Sequence, residues 1–97
     1  MAPIRPNWSD ARGRVVSIEP ADHDYVRLQL ALDAADDVAD YPNLLHDRVG
    51  EELPVEMPGD VARAAGLAAG DRIAARLRLG AIDLAFADPA MVRRTTD

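Results

Sequence analysis

The sequence has no cysteine, which excludes disulfides, thiolate metal sites and cysteine nucleophiles. It also has no lysine: all 11 cationic residues are arginine. A preference for bidentate anion contacts would not need to remove lysine everywhere, so this bias reads as codon usage. Aromatic residues make up 4% of the chain, with a single Trp and a single Phe, and 18 of the apolar residues are alanine. The core is therefore expected to be thin and completed by self-association. No run approaches the ~20 apolar residues of a membrane helix. The opening MAPIRPNWSD lacks the apolar stretch of a secretion signal, so the cytoplasm is the expected location. G-x-S-x-G, a phosphate-binding glycine loop and H-E-x-x-H are all absent. Ser9 and Ser17 have no credible base nearby. The expectation is a protein without catalysis, cofactor or metal.

What is present is one domain of 97 residues with net charge −6. That charge opposes general attraction to nucleic acid or anionic membranes. Residues 1–12 contain Pro3 and Pro6 and read as an extended arm, with Trp8 expected to plug one end of the core. Residues 13–87 read as the folded unit, and 88–97 as a flexible tail.

Val15, Val16 and Ile18 mark a first strand that ends at Pro20. After a turn at Ala21–Asp24, Val26, Leu28, Leu30 and Leu32 alternate with polar or small residues, the period of a half-buried strand. Asp33 to Gly50 reads as a long acidic loop, with a helical turn around Ala34 to Ala39 and another around Asn43 to Asp47 capped by Asn43. Leu53, Val55 and Met57 form a third strand, where Pro54 signals an edge or bulge. Asp60 is expected to cap a short helix, Val61 to Ala65, that ends at Gly66. A fourth strand turns Ile73, Ala75, Leu77 and Leu79 inward and Arg72, Ala74, Arg76 and Arg78 outward. In the fifth, Ile82, Leu84 and Phe86 are expected inward and Asp83, Ala85 and Ala87 outward, with Asp88-Pro89 stopping the strand.

Five short strands with one helix between the third and fourth predict a mainly β fold, a small closed barrel of the oligonucleotide/oligosaccharide-binding (OB) kind. Gly13-Arg14-Val15-Val16-Ser17-Ile18, Gly66-Leu67-Ala68-Ala69-Gly70-Asp71-Arg72-Ile73 and Ala81-Ile82-Asp83-Leu84-Ala85 resemble the opening strand, helix-to-strand turn and closing strand of the transport-associated TOBE/Mop-like barrels. That resemblance implies ligand binding at barrel–barrel contacts, often of an oxyanion held by hydroxyl and amide groups before the helix. Here that loop is Met57–Asp60, with Asn7 and Ser9 as the matching groups near the first strand. The segment from Glu52 to Ala87 also resembles the AbrB/MazE-like swapped-hairpin domains, which implies a DNA-binding regulator or antitoxin as the alternative.

The sharpest candidate site is Arg72, Arg76 and Arg78. Residues two apart in a strand share a face at roughly 7 Å, so Arg76 and Arg78 stand side by side. Such a set could hold a small anionic ligand or a nucleic-acid backbone. The preferred reading is that it pairs with Glu52, Glu56 and Asp83 across neighbouring strands. Asp33, Asp36, Asp37 and Asp40 could offer oxygens to a hard cation but lack the calcium-loop spacing, so they read as a solvated loop. His23 and His46, the only imidazoles, read as surface residues. The predicted function is a non-catalytic binding or interaction module, self-associating or accessory to a larger protein, with Tyr25 and Tyr41 as contact points.

Overall fold

The alternating apolar residues become the inner wall of a barrel. A computed structural model describes residues 6–80 and 83–95 of the chain. It contains β1 (Ser9–Pro20), β2 (Tyr25–Asp37), a 3-10 turn (His46–Arg48), β3 (Glu52–Pro58), α1 (Gly59–Ala64), β4 (Arg72–Leu79) and β5 (Ala85–Thr95). The strands close in the order β1-β2-β3-β5-β4. All neighbours are antiparallel except β3 and β5, whose parallel contact is confined to Val55–Ala85 and Glu56–Phe86. This ring, with its helix between β3 and β4, is the mainly β, OB-like barrel that the sequence predicts. No helix among the described residues is long and apolar enough to cross a membrane.

Leu28, Leu30, Leu32, Leu53, Val55, Met57, Ile73 and Leu77 all point inward and are essentially without solvent exposure. Each such side chain contributes about 1.5–3 kcal/mol by leaving water. The fifth strand is out of phase with expectation. Ala85 and Ala87 are buried, whereas Leu84 and Phe86 are half-buried. The register gives the reason: Ala87 lies opposite Leu77, so a leucine from β4 already fills that part of the interior. Ile82, the third residue of the expected inward set, lies outside the described residues.

Three boundaries also move. β1 begins at Ser9, inside the expected arm, because Ser9–Arg12 has a strand on each side: Asp37–Ala34 of β2 and Leu77–Ala74 of β4. The same pairing draws Asp33–Asp37 out of the expected acidic loop and into β2, so no helical turn forms at 34–39. β5 continues through Asp88-Pro89 to Thr95. Pro89 falls in the register shift between the Ala87 and Val92 pairings, where a residue without an N–H removes no ladder bond.

Trp8 is half-buried rather than a plug, and its N–H donates to Pro42 O at 3.3 Å. Asn7 and Ser9 on either side are buried. The rest of the excursion between β2 and β3 is anchored by fully buried Leu45.

At α1 the expected Asp60 cap is not made: Pro58 occupies the N-cap position, and Asp60 sits in the first turn. The C-terminus behaves as expected. Gly66 has φ +68°, its N–H donates to Arg63 O at 3.0 Å, and the Leu67 N–H donates to Ala62 O at 3.1 Å. These two bonds are a Schellman closure. Gly70 N–H then reaches Val15 O at 2.7 Å, and Val15 N–H returns to Asp71 O at 2.8 Å. The G-L-A-A-G-D signature is thus spent on ending a helix and docking the following turn against β1.

Candidate functional site

β4 lies between β1 and β5, so its outward residues occupy the middle of a three-stranded outer face. The three arginines nominated from the sequence all belong to that face, but each has its own surroundings. Arg76 grips Asp10 of β1 with two bonds, Nε to Oδ1 at 2.8 Å and a second guanidinium nitrogen to Oδ2 at 3.2 Å. This hydrogen bond to Asp10 holds the Arg76 guanidinium above its ordinary pKa, against the opposing pull of desolvation. Arg72 donates to Asp33 of β2 at 2.8 Å, reaching across β1. Arg78 is exposed, with its guanidinium 4.7 Å from the ring centroid of Phe86, its register partner on β5.

The anticipated partners Glu52, Glu56 and Asp83 are engaged elsewhere or lie off this face, because β4 is not adjacent to β3. Glu56 takes Arg27, which raises the Arg27 pKa by hydrogen bonding and then by its charge. Asp83 and Glu51 both take Arg48. The Arg78–Phe86 contact was hidden from the sequence because the fifth strand was assigned to the opposite phase.

Arginines that sequence reasoning passed over complete the face. The cross-strand register puts Arg12, Ala74 and Arg93 in one row over β1, β4 and β5, and Arg14, Arg72 and Thr95 in the next. Arg12 meets Asp36 at 3.7 Å, with both side chains about two-thirds exposed. Arg94, in register with inward Ile73, turns to the other side of β5 and meets Asp71 at 3.9 Å. Arg14 and Arg93 form no ion pair among the described residues. Two contiguous grooves of about 640 Å³ each run over this surface and share Arg12 and Arg93 in their walls. Together they are lined by five arginines (12, 72, 76, 93 and 94) and three aspartates (10, 33 and 36). The face is net positive on a chain whose overall charge is −6. The signal available in the sequence was the Arg93-Arg94 pair in the segment assigned to a tail.

The other candidates disperse. Asp33 and Asp36 serve the arginines just described, and Asp37 accepts a bond from Asn43 at 3.0 Å. Among the described residues no group of three or more His, Cys, Asp or Glu side chains is gathered as metal ligands would be. His23 lies in the β1–β2 turn at φ 59°, beside a groove of about 710 Å³ between that turn and α1. His46 opens the 3-10 turn. Tyr25 and Tyr41 are exposed.

Asn7 and Ser9, the groups matched to an oxyanion site, are committed to the fold. Asn7 bridges the end of β4, accepting from Leu79 N–H at 2.8 Å and donating to Leu79 O at 3.1 Å. Ser9 donates to Asn43 Oδ1 at 2.6 Å.

Fold and face together define the chain as an OB-like five-stranded barrel with an arginine-lined outer sheet. Neither a scan of protein-family models nor a search of curated proteins finds a match to this sequence.

Proposed function

We propose that this chain is a non-catalytic binding module that engages an anionic partner through the outer face of β1, β4 and β5. It works as a homo-oligomer or as an accessory to a larger protein, in the manner of the transport-associated barrels it resembles. One observation carries the reading: four outward arginines (12, 72, 76 and 93) line two contiguous grooves on a chain that is otherwise strongly acidic. Folding alone does not require that concentration. Arg14 and Arg72 face each other directly across β1 and β4, and like charges in that position are destabilising. Asp33 on Arg72 offsets part of that repulsion.

The closed ring favours this reading over the DNA-binding regulator. β3 pairs with β2, β4 pairs with β1, and β5 closes the ring between β3 and β4 within the same chain, whereas a swapped hairpin pairs the 52–87 segments of two chains. The test is chromatography on an immobilised polyglutamate matrix. The expected result is retention at low salt and elution as salt screens the contact. A chain that flows through at low salt, as its net charge alone would dictate, overturns the proposal. A gel shift with random duplex, read for salt-dependent retention, tests the regulator.

A further inference from the structure

We infer that the two grooves receive an extended acidic peptide segment of a protein partner. This rests on the anion-binding reading above and names the class of ligand. Along β4, Arg72 and Arg76 are four residues apart, a separation of about 13 Å in a strand. Across the sheet, Arg12 and Arg93 stand on either side of Ala74, roughly 10 Å apart at two strand spacings. The arginines therefore border a trough with a small-residue floor, longer than one oxyanion and matched to several residues of extended chain.

The face already binds carboxylates. Asp10, Asp33 and Asp36 occupy Arg76, Arg72 and Arg12 in turn. The Arg12–Asp36 contact is long and well exposed, so an incoming carboxylate displaces it at little cost. Arg93 has no carboxylate of its own among the described residues. Met91, 44% exposed in the wall, adds an apolar contact for one side chain of the segment. Nucleic acid fits less well. Among the described residues no aromatic side chain lines either groove, so bases have no stacking platform there.

The experiment titrates the full chain with a fluorescent glutamate-rich peptide of about eight residues carrying one central leucine, long enough to span the trough. Its glutamine counterpart, inorganic phosphate and single-stranded DNA are titrated in parallel. Arg12→Gln with Arg93→Gln removes two guanidiniums that hold no strong internal pair, and Arg63→Gln on another surface is the control. The expected result is salt-sensitive binding of the acidic peptide, weakened about tenfold or more by the double variant, with an unchanged melting temperature and an unaffected control. Equal binding of the glutamine peptide, or equal affinity in the double variant, overturns the inference. If phosphate or DNA binds instead and the double variant loses it, the face is an anion site of another class, and only this inference falls. If no anion of any kind binds, the proposed function falls with it. If the double variant changes only the oligomeric state, the occupant is a second copy of the chain, and the peptide assignment is overturned.

Discussion

Replacing Asn43 by Ala should unfasten the long connection from the barrel. The Asn43 amide makes four bonds. Its Nδ2 donates to Ala35 O at 2.9 Å and to Asp37 Oδ1 at 3.0 Å. Its Oδ1 accepts from Ser9 Oγ at 2.6 Å and from Leu45 N–H at 3.1 Å. Ser9 has no solvent exposure, so truncation strands its hydroxyl in the interior. A net hydrogen bond is worth about 0.5–1.5 kcal/mol, and an orphaned buried group costs about 1–3 kcal/mol. Water can replace the more exposed partners, which leaves an expected cost of about 2–4 kcal/mol, dominated by Ser9.

In a domain of this size that lowers the melting midpoint by roughly 10–20 °C. Ser9→Ala alone should cost about 1 kcal/mol, because it removes a donor and leaves Asn43 Oδ1 still bonded to Leu45. In the Asn43→Ala background the same change should be neutral or stabilising, since it deletes the orphan. Urea titrations of the four proteins, followed by the fluorescence of Trp8, give the coupling directly. If Ser9→Ala costs the same in both backgrounds, the two side chains are not coupled and this account of the anchor is refuted.

Three further outcomes follow from the packing. Gly13→Ala places a Cβ 2.4 Å from the Ala31 carbonyl oxygen, so backbone must move, and a loss of about 1–3 kcal/mol or more is expected in urea denaturation; an unchanged midpoint would contradict it. Ala85→Leu should destabilise by about 1–3 kcal/mol because it overfills the interior, and should cost more than Phe86→Leu on the outer side; the reverse order in thermal melts would restore the phase read from the sequence. Leu45→Ala should cost about 2–5 kcal/mol despite lying in an irregular segment, and a cost near zero would mean that the connection does not cover the core.

The strands that were read correctly are those with a strict contrast between faces. Leu28, Leu30 and Leu32, or Ile73, Ala75 and Leu77, alternate with residues that are charged, amide-bearing or small, so one assignment of the inner face dominates. Gly66 was legible for a local reason: a helix end needing positive φ is satisfied by the residue itself. β5 offered no such contrast. Apolar residues stand at Leu84, Ala85, Phe86 and Ala87 alike, and size alone favours the wrong side. Leu77 on the neighbouring strand β4, seven to ten residues away in sequence, decides which of them can fit.

The candidate site was half legible. Arg72, Arg76 and Arg78 follow from a period of two within one strand. Their partners do not, because Asp33 and Asp10 are separated from them by 39 and 66 residues. Arg12, Arg14 and Arg93 join them only through the pairing of β1 and β5 with β4.

By itself, then, the sequence determined the number of strands, the place of the helix and the inward sets of β2, β3 and β4. These depend on neighbours within a few residues, through alternation, capping and turn chemistry. Tertiary structure alone decided where β1 begins and where β2 and β5 end, which face of β5 is buried and which carboxylate each arginine meets. Those outcomes depend on ring closure, which sets strand order and register between segments far apart in the chain. The interior volume left after closure then selects among side chains that local chemistry cannot rank.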